Sequence, residues 1–200
     1  VGFGKTAVMV GAGMELRRLG LSRKNLFVVP KATHEQFKNQ FKDIYPYANV
    51  LFPNEDDFTP GKRGEFIARA ATGDWDAIIL ADSQFRTIEV KPETQAKFLR
   101  EELNALRDSL ENENTRGGGK RSGTSKDIEK AIERVSVRLK DATDKIAQKH
   151  EHAMYFEDLG IDQIFVDEAD AYKNLHFATR MGRLKGLPNS DSERAWDMYM

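Results

Sequence analysis

Cysteine is missing from all 200 residues, which excludes disulfides and thiolate metal sites and permits a reducing compartment without requiring one. Histidine is scarce: His34, His150, His152 and His176 are the full set, and their spacing matches no ligand pattern of the His-Glu-x-x-His kind. No apolar run approaches the roughly eighteen residues of a membrane span, and no signal peptide precedes the first motif. Neither sign of charge dominates. A formal net charge of −1 excludes a uniformly basic nucleic-acid binder while leaving room for a basic stripe on one face.

What is present is enough apolar material, 40% of the residues, for one globular domain with a sizeable core. The first half alternates helix and strand signals. In "TAVMVGAGMELRRLG", Val8, Ala12, Leu16 and Leu19 recur at helical spacing up to Gly20, and "NLFVVP" then predicts a short buried strand closed by Pro30. "THEQFKNQFKDIY" sets Phe37, Phe41 and Ile44 on one helical face, with Thr33 and Gln36 in the positions of a capping box. "NVLF", "WDAIILAD" and "IDQIFVDEAD" supply further strands, with a turn in "FTPGKRG" and a short helix in "EFIARAATG". Short apolar strands separated by amphipathic helices indicate a parallel sheet covered on both faces, an α/β doubly wound domain of the nucleoside-triphosphatase kind.

Residues 91–155 break this rhythm. Leu99, Leu103, Leu106 and Leu110 form one seam, and Ile128, Ile132, Val135, Leu139, Ala142 and Ile146 form another. The Gly-rich stretch "TRGGGKRSGTSK" lies between them, so the expectation is an inserted antiparallel helical hairpin with a flexible tip over 112–127. Near the end, Ser190 and Glu193 have capping-box spacing and predict a helix that packs through Ala195, Trp196 and Tyr199.

The residues that could do chemistry fall at two places. "VGFGKT" carries the last part of a phosphate-binding loop, in which backbone N–H groups at Gly2 and Gly4 converge on phosphate oxygens. Lys5 would neutralise the β- and γ-phosphates of ATP, and the Thr6 hydroxyl would complete a magnesium shell. The leading Gly of the loop would fall before Val1, so the chain is expected to be a piece interrupted at both ends. "IFVDEAD" puts Asp167 and Glu168 at the end of a buried strand, where ligands bind in doubly wound folds. Asp167 would hold Mg and Glu168 would orient and deprotonate an attacking water.

Taken in order, "GFGKT", "LFVVPKATHEQF", "AIILADSQF" and "FVDEADAYKN" resemble motifs I, Ia, Ib and II of superfamily-two helicases, and within them the Swi/Snf-like DNA-dependent ATPases. The segment "VDEADAYKNL" followed by "GLPNSDSERAWDMYM" is similar to large helicase-like proteins of phages and conjugative elements, often joined to DNA methyltransferase domains. The resemblance implies a RecA-like ATP-binding lobe over 1–90 and 156–200, truncated at both ends, with 91–155 as the insertion. It implies ATP and Mg as cofactors and catalytic roles for Lys5 and Glu168, with Asp170 relaying to the following motif. The segments around Pro30–Lys31 and Ser83–Gln84 would face a DNA backbone, with Lys31, Thr33, Ser83 and Arg86 as the contacting residues. Implied partners are double-stranded DNA, a second RecA-like lobe and a methyltransferase domain, in the cytoplasm of a bacterial or phage-infected cell. Motif III and the second lobe with its arginine finger are missing, so this piece alone should bind nucleotide weakly and hydrolyse little.

Beside the resemblance, Lys31, Lys38, Lys62, Arg63 and Arg86 are candidates to neutralise phosphates, with Thr33 and Ser83 as hydrogen-bond donors. Arg116, Lys120, Arg121 and Lys126 make the hairpin tip basic. The competing reading is a non-catalytic interaction module that recruits a partner through the coiled-coil hairpin. A P-loop metabolic kinase fits less well, because nothing resembles an acceptor-substrate site.

Overall fold

The computed structural model describes residues 4–116, 123–147, 154–172 and 198. The chain divides into two compact units, one of Val1–Glu89 with Glu151–Asp170 and the other of Val90–His150 with Ala171–Met200. Gly2, the central tip residues 117–122 and the expected helix begun by Ser190 and Glu193 lie outside the described residues.

The first unit is α/β. Strands β1 (Asn25–Val29), β2 (Val50–Leu51), β3 (Ala77–Ala81) and β4 (Gln163–Val166) form a four-stranded sheet in the order β2-β3-β1-β4. Every pairing is parallel, with Asn25 opposite both Ala77 and Gln163. All carboxyl ends therefore share one edge. β1 and β3 are buried at every position, which explains their uninterrupted apolar sequences: a strand covered on both faces has no solvent side for polar residues.

Alternate residues feed two separate cores. Leu26, Val28, Ile78 and Leu80 pack on one face with Leu51, Phe66 and Leu159. This face is covered by α3 (Arg63–Thr72) and by 3-10 turns at Glu55–Phe58 and Phe156–Leu159. Phe27, Val29, Ala77 and Ile79 point to the other face, where α1 (Lys5–Arg18) and α2 (His34–Ile44) lie. Phe27 stacks on Phe165 at 4.9 Å and meets Phe41 edge-on at 5.7 Å.

Two helix readings are corrected here. α1 buries Val10 and Gly13, with Met9 and Met14 packed alongside, while Val8 is 68% and Leu19 57% exposed. The Val8–Ala12–Leu16–Leu19 stripe is thus not the buried face. A close approach decides the matter: a Cβ at Gly13 would stand 2.7 Å from Phe27 Cζ, so only glycine lets the helix sit this near the sheet. The buried Asn25 amide secures the contact by donating to the Gly13 carbonyl at 2.9 Å. In α2, Phe37 and Phe41 are buried as expected, but Ile44 is 42% exposed. No capping box forms at Thr33, whose hydroxyl donates instead to the Pro30 carbonyl at 3.2 Å. A 3-10 turn at Lys31–Thr33 precedes the helix and takes that hydroxyl.

Lys24, nearly buried, donates to the carbonyls of Ala70, Ala71 and Leu159. It thereby satisfies otherwise orphaned carbonyls in the last turn of α3. Burial pushes its ammonium below the usual lysine range, against the raising influence of Asp162.

The second unit contains α5 (Pro92–Arg116) and α6 (Gly123–Ala147), which pack on one another through Ala96, Leu99, Leu103, Val135 and Ala142. Leu106, Ile132 and Leu139 are half-buried beside them. The seam residues are thus occupied against each other, whereas Ile146 is exposed. Each helix has 25 residues, about 37 Å of length. Both intrude on the expected flexible tip: residues 112–116 and 123–127 are helical. No helix among the described residues is long and apolar enough to cross a membrane.

Candidate active site

The carboxyl edge of the sheet brings the two ends of the first unit together. At β4, the Asp167 N–H donates to the Val28 carbonyl at 2.8 Å, extending the ladder to β1 by one residue. The chain then turns: Glu168 has φ +54°, a left-handed conformation unusual for a non-glycine residue. Its N–H donates to Asp167 Oδ1 at 3.0 Å.

Lys5 meets these acids from α1. Gly4 takes the left-handed conformation (φ 70°, ψ 29°) at the helix start, and a Cβ there would meet nothing within 4 Å. Lys5 Nζ donates to Glu168 Oε1 at 2.7 Å and lies 3.7 Å from Asp167 Oδ1. The hydrogen bond that Lys5 donates to Glu168, followed by the charges of Glu168 and Asp167, raises the Lys5 ammonium above its usual range. Residues more than 150 positions apart in sequence thus form one charged group. The half-buried Thr6 lies in a cleft of about 430 Å³ that Gly4 and Lys5 also line, faced by Gln36, Gln40 and Asp43 of α2.

Among the described residues, no group of three or more His, Cys, Asp or Glu could hold a metal ion. Magnesium bound together with a polyphosphate asks for less: one or two carboxylates, with phosphate oxygens and waters completing the shell. Asp167 and Glu168 are adjacent carboxylates of that kind, while the Thr6 cleft is lined by α2 residues and by neither acid.

A second set of charges occupies the same edge over β1, β3 and β2. Lys31, just past β1, donates through Nζ to Glu55 Oε1 at 2.6 Å and through its backbone N–H to Asp82 Oδ1 at 3.2 Å. Glu55 raises the Lys31 ammonium, and Lys31 lowers the Glu55 carboxyl. Asp82 begins the short helix α4 (Asp82–Phe85) and also pairs with Arg86. Thr33 and Ser83 are exposed nearby in sequence to these groups, and Thr33 is already donating to Pro30. Away from the edge pair, Lys38 is paired with Glu35 and Lys62 with Asp56, while Arg63 donates to the Phe58 carbonyl.

Sequence reasoning missed the acidic partners Glu55 and Asp82. The Gln84 side chain accepts from the Ala81 N–H at 2.9 Å and donates to the Pro53 carbonyl at 3.3 Å, tying the ends of β3 and β2 together. One signal was available. Asn54 and Asp57 have capping-box spacing, and the Asp57 carboxylate accepts from the Asn54 N–H at 2.7 Å.

Two comparisons with known proteins are silent: no curated protein and no solved structure matches the chain. A family model described as a probable helicase domain matches residues 1–200. The match spans every residue from Val1 to Met200, and the chain belongs to the probable helicase domain family.

Proposed function

We propose that this chain is the RecA-like ATP-binding lobe of a Swi/Snf-like DNA-dependent ATPase of the superfamily-two helicase kind, which moves on duplex DNA when paired with a second lobe. The observation that carries this reading is the Lys5 ammonium at 2.7 Å from Glu168 and 3.7 Å from Asp167, at the carboxyl edge of a parallel sheet, where such folds take ligands. Without nucleotide, the two acids are the counter-charges of Lys5. A triphosphate offers that ammonium a stronger partner, and Lys5 would turn to the β- and γ-phosphates, releasing Glu168.

Once released, the Glu168 carboxylate would orient a water and accept its proton as the water oxygen bonds to the γ-phosphorus and the bond from that phosphorus to the β–γ bridging oxygen breaks, with ADP leaving. Backbone N–H groups of the Gly4 turn and the start of α1 would bind the phosphate oxygens. The Thr6 hydroxyl and Asp167 would hold magnesium, which when bound neutralises charge on the phosphoryl oxygens. Lys31, Thr33, Ser83 and Arg86 are the proposed contacts to the DNA backbone, and their location would leave base sequence unread.

The test uses the intact polypeptide. Lys5→Ala is expected to abolish DNA-stimulated ATP turnover and to weaken Mg-ATP binding in calorimetry. Glu168→Gln is expected to lower turnover by about 100- to 10,000-fold while leaving Mg-ATP affinity near that of the parent. Undiminished turnover in Lys5→Ala rejects the proposal.

A further inference from the structure

Lys31 is held in a way that its proposed role does not require. Its ammonium is engaged by Glu55 at 2.6 Å, and Glu55 is the first residue of the rigid 3-10 turn Glu55–Phe58. There the Asp57 carboxylate accepts from the Asn54 N–H at 2.7 Å. Asp57 is also paired with Arg69 at 3.0 Å, and Asp56 with Lys62 at 3.5 Å. The turn is further secured from beneath by Phe58, buried against Phe66 at 5.2 Å. Glu55 is therefore presented by a fixed backbone rather than by a mobile loop, at the mouth of an open cleft of about 440 Å³. Lys31, His34, Glu35, Ser83, Gln84 and Thr87 are among the residues that line it. Its floor is the carboxyl edge of β3, at Ala81.

An ammonium, hydroxyls and a side-chain amide in this cleft suit a phosphate diester, but two carboxylates line it as well: Glu35, which is paired with Lys38, and Glu55, which occupies the Lys31 ammonium. We propose that Glu55 is a resident substitute for phosphate, so that a nucleic-acid backbone engages this edge only by displacing the Glu55 carboxylate from Lys31. This rests on the DNA reading given above and adds to it a built-in competitor. An exposed ion pair is weak enough in water to exchange for a phosphate, yet it lowers the affinity of whatever replaces it by a small factor, about two- to five-fold. A polyanion with several phosphates overcomes that handicap by making several contacts at once; a single phosphate ion does not.

The experiment is a double-mutant cycle on the full chain, read by fluorescence anisotropy with a labelled duplex of about 20 base pairs at low salt. Glu55→Gln is expected to bind about two- to five-fold more tightly than the parent, and Lys31→Ala more weakly. In the Lys31→Ala background, Glu55→Gln is expected to change nothing, because the competed cation is gone. An equal gain in both backgrounds would overturn the proposal, since it would report general repulsion of DNA by an acid rather than competition for Lys31. Equal affinity of the parent and Glu55→Gln would overturn it as well. If none of these proteins binds the duplex, the DNA reading itself falls and the competitor with it. Binding without coupling removes the competitor alone.

Discussion

Helices α1 and α2 cover the same face of the sheet by opposite means. α2 reaches down with large side chains: Phe37 and Phe41 are both buried, and Phe41 meets Phe27 edge-on. α1 buries Val10 but otherwise brings its backbone close, through Gly13 over the Phe27 ring, and leaves Val8 and the following Leu19 exposed. One helix fills space and the other vacates it. The two solutions are interdependent, because the Phe27 ring that α2 packs against is the ring that forbids a side chain on α1.

That contrast can be broken most forcefully at Phe41. Replacing it by Ala removes a fully buried ring and is expected to cost about 3–5 kcal/mol of stability, measured by urea denaturation; a loss below about 1 kcal/mol would mean that the α2 side chains are not what fills this face. Next in size is Gly13→Val. Its branched side chain must enter space held by Phe27 and Phe165, and the expected loss is about 1–3 kcal/mol from overpacking. Gly13→Ala should lose less, since about 1 kcal/mol of improved helix propensity offsets part of the clash. A gain in stability for the Val variant would show that α1 can stand off from the sheet. Smallest is the exposed stripe. Val8→Ser and Leu19→Ser are each expected to stay within about 0.5 kcal/mol of the parent, and a thermal unfolding shift as large as that of Gly13→Val would mean the stripe is covered after all.

These differences also explain what could be read from the sequence. The strands were legible because burial on both faces leaves an uninterrupted apolar run, as in "LFVV" and "AIIL". The α2 face was legible because aromatic knobs at helical spacing announce themselves. The α1 face was not: a helix that packs through glycine leaves its signal in a missing side chain, while the outward Val8 and Leu19 mimic an inward stripe. Lys5, Asp167 and Glu168 could be nominated from residue type and order, since phosphate loops and strand-end acids have recognisable local contexts. Their separation of a few ångströms, however, depends on β4 lying beside β1. The strand order β2-β3-β1-β4 leaves no mark in local spacing. For the same reason the acids opposite Lys31 escaped notice: Glu55 and Asp82 reach it from loops after β2 and β3, and only the register of the sheet brings them there.

The left-handed backbone at Glu168 has a consequence for how this chain can change. A glutamate there carries a conformational penalty, on the order of 1 kcal/mol, that glycine would escape. Selection for robustness alone would therefore drift toward glycine at this corner and lose the carboxylate that faces Lys5. Retaining the acid keeps a carboxylate within 2.7 Å of the Lys5 ammonium. Glu168→Gly thus separates the two demands, with a folded state at least as resistant to heat as the parent and an ammonium at Lys5 left without its nearest counter-ion.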